Sequence, residues 1–193
     1  MDIGVVGASG YAGGELIRLL SDHPKFNLVY ISAGTNAGEE ISSIHPHLLD
    51  FGTRKFEETS VAGIDKCDLV FLALPHGQSA ELIAKISPKV KVVDLGADFR
   101  LASKSSWEKY YGGSYAGQLA YGLPELSGNT ELISSSSRIA NPGCYATAII
   151  LGSAPAIAAK LIDASDLVVV AASGTTGAGR SAKINLIASE VMN

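Results

Sequence analysis

Two stretches of the chain carry residue types and spacings suited to chemistry. The first is Gly7-Ala8-Ser9-Gly10-Tyr11-Ala12-Gly13, three glycines spaced G-x-x-G-x-x-G between a β-branched apolar run and an amphipathic one. In a strand-to-helix turn, Gly7 permits the tight reversal, Gly10 lets the backbone approach a pyrophosphate and Gly13 lets the helix pack on the sheet. The first-turn N–H groups then face the anion. Gly7, Ser9, Gly10, Tyr11, Ala12 and Gly13 are therefore candidate contacts of a dinucleotide cofactor. A glycine-rich turn that binds nothing has the same local appearance.

The second stretch is Asn141-Pro142-Gly143-Cys144-Tyr145. It places a thiol at the start of an apolar helical run, where unpaired N–H groups and the helix dipole favour thiolate, the form a nucleophile needs. A lone cysteine in an apolar context is equally a buried structural residue. The other cysteine, Cys67 between Lys66 and Asp68, has no comparable setting. Neither shows Cys-x-x-Cys or Cys/His spacing, so neither a disulfide framework nor a metal site is expected.

Cofactor choice is also written locally. An NAD site carries an acidic side chain for the ribose hydroxyls about 20 residues beyond the glycines, at the end of the second strand. That place reads Ser32-Ala33-Gly34-Thr35. With no carboxylate to repel a 2′-phosphate, NADP(H) fits better than NAD, with Ser32 as a candidate contact and Arg54 or Lys55 as cations that could approach from elsewhere.

These residues need a frame to hold them. Apolar β-branched runs at Ile3 to Val6, Asn27 to Ile31, Asp68 to Leu74 and Val90 to Leu95 alternate with helical stripes at Ala12 to Leu20 and Ser79 to Ile86, the pattern of buried parallel strands in a βαβ series. From Ala97 to Glu131 the chain turns to Tyr, Gly and Ser and reads as a long functional excursion with a short helix near Ser105 to Tyr110. A strand at Ser137 to Asn141, a largely buried helix at Cys144 to Lys160 that Pro155 kinks, a strand at Asp166 to Ala172 and a helix at Ser181 to Met192 complete the pattern. The expected fold is α/β, a Rossmann-type doubly wound parallel sheet.

Bulk properties exclude several classes. The 193 residues are 47% hydrophobic and 18% charged with a formal net charge of -4, enough for a buried core and without a basic field for nucleic acid or an anionic membrane. No apolar run reaches the roughly 18 residues of a membrane span, and Met1-Asp2-Ile3-Gly4 lacks the regions of a signal peptide, so a cytoplasmic location is expected.

Six segments occurring in order carry a resemblance. They are Gly7 to Gly13, Leu72-Ala73-Leu74-Pro75-His76-Gly77, Asp94-Leu95-Gly96-Ala97-Asp98-Phe99-Arg100, Tyr121-Gly122-Leu123-Pro124-Glu125, Asn141 to Tyr145, and Ser173-Gly174-Thr175-Thr176-Gly177-Ala178-Gly179-Arg180. Together they resemble the N-acetyl-gamma-glutamyl-phosphate reductases over the whole chain and, more loosely, the aspartate-semialdehyde dehydrogenases. The resemblance implies an enzyme of arginine biosynthesis that reduces an acyl phosphate to N-acetyl-glutamate semialdehyde with NADPH, releasing inorganic phosphate, through a thioester on Cys144.

The resemblance also implies roles for other residues. Arg100 grips the substrate phosphate, unless it only pairs with Asp98 at the surface, and Asn141 orients that phosphate or polarises the carbonyl. Pro75 and His76 lie where the family lays the nicotinamide half, and Ser173, Gly174 and Gly177 supply a second cofactor loop. Glu125 and Arg180 have no assigned role. Residues 1–143 would form the NADP-binding domain and 144–193 the beginning of an α+β substrate and dimerisation domain, full-length members being homo-oligomers. The resemblance places the acid/base histidine, in a His-Arg-His type motif, beyond Asn193, so the chain is expected to be the first part of such an enzyme. A lysine-pathway reductase, an aspartate-semialdehyde dehydrogenase and a non-catalytic NADP-binding sensor are the alternatives.

Overall fold

A computed structural model describes residues 1–180. The β-branched runs become strands because their side chains alternate between two apolar layers. Val6, Val70, Leu72 and Val92 pack on one side with Tyr30, Ile64, Ile83, Ile86 and Phe99. Ile3, Val5, Ile31 and Ala33 pack on the other with Ile17, Leu20, Ile41 and Phe56. Both layers are solid enough that truncating a fully buried residue such as Ile17 to alanine costs about 3 kcal/mol.

The chain opens β1 (Asp2–Val6), α1 (Tyr11–Ser21), β2 (Asn27–Ala33), then two short helices, α2 (Ile41–Ile44) and α3 (Val61–Ile64), flanking β3 (Glu57–Glu58). It continues with β4 (Leu69–Leu72), α4 (Ser79–Ile83), β5 (Lys91–Asp94), α5 (Lys104–Tyr110), β6 (Ala120–Tyr121), α6 (Asn129–Ser135), β7 (Arg138–Ala140) and α7 (Cys144–Ala158). The strands form one sheet in the order β3-β2-β1-β4-β5-β7-β6. Every pairing in it is parallel. This is the expected doubly wound arrangement, in which ligands bind outside the carboxyl ends of the strands.

Met1–Pro142 forms one compact unit and the chain from Gly143 onward another. In the first unit the Tyr- and Gly-rich excursion is more ordered than its composition suggests. Tyr121 and Ala120 add an edge strand beside β7, and Gly122 lets the chain pass close to it, since a side chain there would meet Ile139 at 2.8 Å.

In the second unit two expectations are corrected. Residues 166–172 form no strand, with Val168 and Val170 90% and 96% exposed, because β-branched composition makes a strand only where a partner strand takes its N–H and C=O groups, and none does among the described residues. The helix α7 runs through Pro155, but none of its residues is buried, so its uniformly apolar sequence lies at the surface. The expected helix at Ser181 to Met192 lies outside the described residues. No helix among those described is long and apolar enough to cross a membrane.

Candidate functional site

In the glycine turn, steric demands explain two glycines and leave the third open. Gly7 has φ +76°, and a Cβ there would run into the Ala73 carbonyl of the neighbouring strand. At Gly13 a Cβ would lie 2.6 Å from Ala8 Cα and from the Gly7 carbonyl, so only glycine lets α1 sit this close to β1. At Gly10 the nearest atom would be 3.6 Å away, an ordinary contact. Gly10 caps α1 without a side chain, so no side chain of this residue closes the amides of Ala12 and Gly13, which helix geometry leaves without intrahelical acceptors. The residues present therefore fit a pyrophosphate at the start of α1.

The surroundings of the turn modify the expected contacts. Ser32 is fully buried and its hydroxyl accepts from Thr59 Oγ1 at 3.1 Å; what it gives the turn is its backbone carbonyl, which accepts the Ala8 N–H at 2.9 Å. Arg54 spends its guanidinium on the Leu28 and Val29 carbonyls at 3.2 and 2.9 Å, on the first half of β2 and away from its carboxyl end. Thr35 and Lys55 are exposed, and with the backbone of the loop after β2 they would be the groups left for a 2′-phosphate. The edge strand β3 pairs Glu57 and Glu58 with Ser32 and Ala33, carboxylates that the sequence did not associate with this place.

At the ends of β4 and β5 the arrangement is denser. Asp98, 2% exposed, accepts from the amides of Gly77 at 2.6 Å, Ser79 at 3.1 Å and Ala80 at 3.2 Å, so it caps α4 from outside that helix. Asp94 accepts the Ser79 hydroxyl at 2.7 Å and the Gly96 amide at 2.9 Å on one oxygen, while its other oxygen has no partner among the described residues. Burial pushes the Asp94 carboxyl up, with the Ser79 and Gly96 hydrogen bonds opposing it.

His76 is exposed at the end of β4, and its Nδ1 accepts the Ala97 N–H at 3.1 Å, so Nε2 is the ring nitrogen that donates. Pro75 beside it is exposed as well. In the sequence Asp94 and Asp98 stand only as members of a motif, and no local spacing marks the amides and hydroxyl they serve.

Arg100 is tied down by its own backbone surroundings. Nε donates to the Asn141 carbonyl at 2.8 Å and one terminal nitrogen to the Leu95 carbonyl at 2.7 Å, and there is no ion pair with Asp98, whose oxygens serve amides. Asn141 in turn donates its backbone N–H to the Asp94 carbonyl at 2.8 Å and its side-chain amide to the Pro142 carbonyl at 3.1 Å. Arg100 thus joins the ends of β5 and β7. Burial pushes the Tyr121 phenol up, and the Arg100 charge opposes this. Glu125 is exposed.

In the second unit Cys144 is the first residue of α7 and is exposed, unlike the buried Cys67. Gly143 caps the helix without a side chain. Thr147 donates its hydroxyl to the Gly143 carbonyl at 2.9 Å, which fixes the first turn. Ser173, Gly174 and Gly177 lie in and before a 3-10 turn at Thr175–Ala178, closed by the Gly177 N–H on the Gly174 carbonyl at 3.0 Å. Cys67 is held inert: burial, and then the charges of Asp2 and Asp68, push its thiol up to about 11. No group of metal-ligating side chains occurs among the described residues.

Comparison with known proteins agrees with this frame. Residues 2–135 match the family described as semialdehyde dehydrogenase, NAD binding domain, and residues 144–193 match semialdehyde dehydrogenase, dimerisation domain. Relatives named N-acetyl-gamma-glutamyl-phosphate reductase include that of Salinispora tropica, 56% identical over 98% of this chain and 57% of its own. Those of Acidothermus cellulolyticus and Pseudarthrobacter chlorophenolicus are 54% and 48% identical over 98% and 100% of this chain, and 55% and 56% of theirs. The chain therefore spans just over half the length of these curated relatives.

Among solved structures, the aspartate semialdehyde dehydrogenase of Candida albicans with NADP aligns with TM-score 0.54 and 16% identity over 81% of this chain and 46% of that one. That of Francisella tularensis aligns with TM-score 0.59 and 13% identity over 83% and 41%. At those identities they bear on the fold alone. A parallel sheet with an open glycine turn at its carboxyl edge, and a family match covering most of the chain, lead to one conclusion: the chain belongs to the semialdehyde dehydrogenase family.

Proposed function

We propose that the chain forms the cofactor-binding and nucleophile-bearing part of an NADPH-dependent reductase that converts N-acetyl-gamma-glutamyl phosphate to N-acetyl-glutamate semialdehyde and inorganic phosphate. The observation that carries this reading is the 56% identity, over 98% of the chain, to a relative with that name. The exposed Cys144 at the head of α7 supports it from the side of chemistry.

In this reading the Cys144 thiolate attacks the acyl carbon, the carbon–oxygen bond to phosphate breaks, and inorganic phosphate leaves. When bound, NADPH would supply the hydride that reduces the thioester; release of the aldehyde from Cys144 breaks the carbon–sulfur bond and returns the thiolate. The sum consumes one proton. Arg100, with two carbonyls fixing its plane, offers its remaining terminal nitrogen to the phosphate, and Asn141 stands beside it as a second polar contact. Ser9 to Gly13 hold the cofactor pyrophosphate. His76 Nε2 and Pro75 border the nicotinamide half, and Ser173, Gly174 and Gly177 give it a second glycine loop. Residues 1–143 act as the NADP-binding domain and 144–193 begin the dimerisation and substrate domain, with the whole enzyme a homo-oligomer.

The test is the reverse reaction, phosphate-dependent reduction of NADP with N-acetyl-glutamate semialdehyde, run beside Cys144→Ser. Turnover lost in the variant is the expected result. NADPH binding without turnover would leave a cofactor-binding protein and reject catalysis by this chain alone. Iodoacetamide near neutral pH should modify Cys144 long before Cys67, and equal rates would argue against a nucleophile at residue 144. NADPH should also bind about tenfold tighter than NADH, because β2 ends without a carboxylate of its own. The opposite preference would give Glu57 or Glu58 the ribose.

A further inference from the structure

We infer that His45 is a positioning residue for the phosphate-binding turn, a role that rests on the turn being the cofactor site. His45 follows α2 and is 4% exposed, yet its Nε2 lies 2.9 Å from the Ala8 carbonyl, 37 residues back in the chain. A carbonyl only accepts, so Nε2 carries the proton and donates it. Ala8 is the residue between Gly7 and Ser9, at the point where β1 gives way to α1.

The direction of that bond matters. In a planar trans peptide the C=O and the following N–H point opposite ways. Drawing the Ala8 oxygen onto the imidazole therefore turns the Ser9 N–H away from the ring, to the far side of the turn. The same ring lies under α1: a Cβ at Gly14 would come 2.5 Å from His45 Cε1 and 2.6 Å from Nδ1. One imidazole thus fixes both the first peptide of the turn and the height at which the helix sits on it.

The ring itself is held. The His45 N–H donates to the Ile41 carbonyl at 2.8 Å, and its own carbonyl accepts from Leu48 at 2.9 Å. Phe56 and His47 meet it edge-on at 6.1 and 5.9 Å. An apolar side chain of equal volume would fill this space but would leave the Ala8 carbonyl without its imidazole donor, so filling space alone does not explain a histidine here.

The experiment measures binding of NADPH and of adenosine 2′-monophosphate, which carries the 2′-phosphate but no pyrophosphate, to the chain and to His45→Phe, His45→Gln and Gly14→Ala. His45→Phe should bind NADPH about tenfold more weakly, the scale of one lost buried hydrogen bond, with adenosine 2′-monophosphate unchanged. His45→Gln, which keeps a donor at the same reach, should recover most of the affinity. Gly14→Ala, which displaces the ring without removing it, should behave like His45→Phe. Equal weakening of both ligands, or full NADPH affinity in His45→Phe, would overturn the inference. Failure of the unmutated chain to bind NADPH would instead reject the cofactor reading, and the inference with it.

Discussion

Two helices start at the same carboxyl edge of the sheet and treat their first amides in opposite ways. At α4 the chain supplies its own anion: both Asp98 oxygens are engaged by the amides of Gly77, Ser79 and Ala80. At α1 the capping residue is Gly10, which has no side chain to offer. Both solutions satisfy the requirement that helix N-termini find acceptors, but only the second leaves room for the acceptor to be a ligand. The difference separates a turn that stiffens the edge from a turn with room for a ligand.

The strongest way to break this contrast is to crowd the open turn. Gly13→Ala places a methyl against Ala8 and Gly7 backbone at 2.6 Å, so NADPH affinity should fall about a hundredfold, together with a lower melting temperature. Retained affinity in a fluorescence titration would mean that the close approach of α1 is not needed for binding. Next in size is the closed turn. Asp98→Ala removes the acceptor of three amides and should cost about 2 kcal/mol in urea unfolding, with NADPH affinity changed far less than by Gly13→Ala. A loss below about 1 kcal/mol would show that water or another group caps α4 equally well.

The smallest effect sharpens the electrostatics of the closed turn. The Asp94 carboxyl is pushed up in the fold, so its contribution to stability is present below the ordinary aspartate range and is lost as pH rises through the raised value. Asp94→Asn cannot ionise and keeps an oxygen for Ser79 and Gly96. The urea midpoint of the variant should therefore gain on that of the parent between pH 4 and pH 7.5. A variant-minus-parent difference that stays constant or falls as pH rises would mean that Asp94 is not held against its charge.

What the sequence disclosed follows from how far each interaction reaches. Strands β1, β2, β4 and β5 and the glycine turn are local patterns, and periodicity with glycine spacing located them to within a few residues. Cys144 at a helix start was legible from Pro142 and Gly143 just before it. Asp98 capping α4 across 19 residues, and His45 reaching Ala8 across 37, leave no local trace because the fold, not the spacing, brings them together.

The two-residue strand β6 is invisible to any periodic test, since two residues make no period. Residues 166–172 show the opposite case: their β-branched side chains state a preference for a pleated neighbour, and a preference is not a pairing.

The position of β1 also has a kinetic side. It lies between β2 and β4, pairing Asp2 with Asn27 on one edge and Ile3 with Leu69 on the other. Its second edge therefore stays open until a loop of more than sixty residues has closed. Parallel sheets assembled through such distant partners fold slowly and expose unpaired strand while they do. The recovery of this protein from denaturant should accordingly depend on concentration, with the yield falling as chains meet one another before β4 reaches β1.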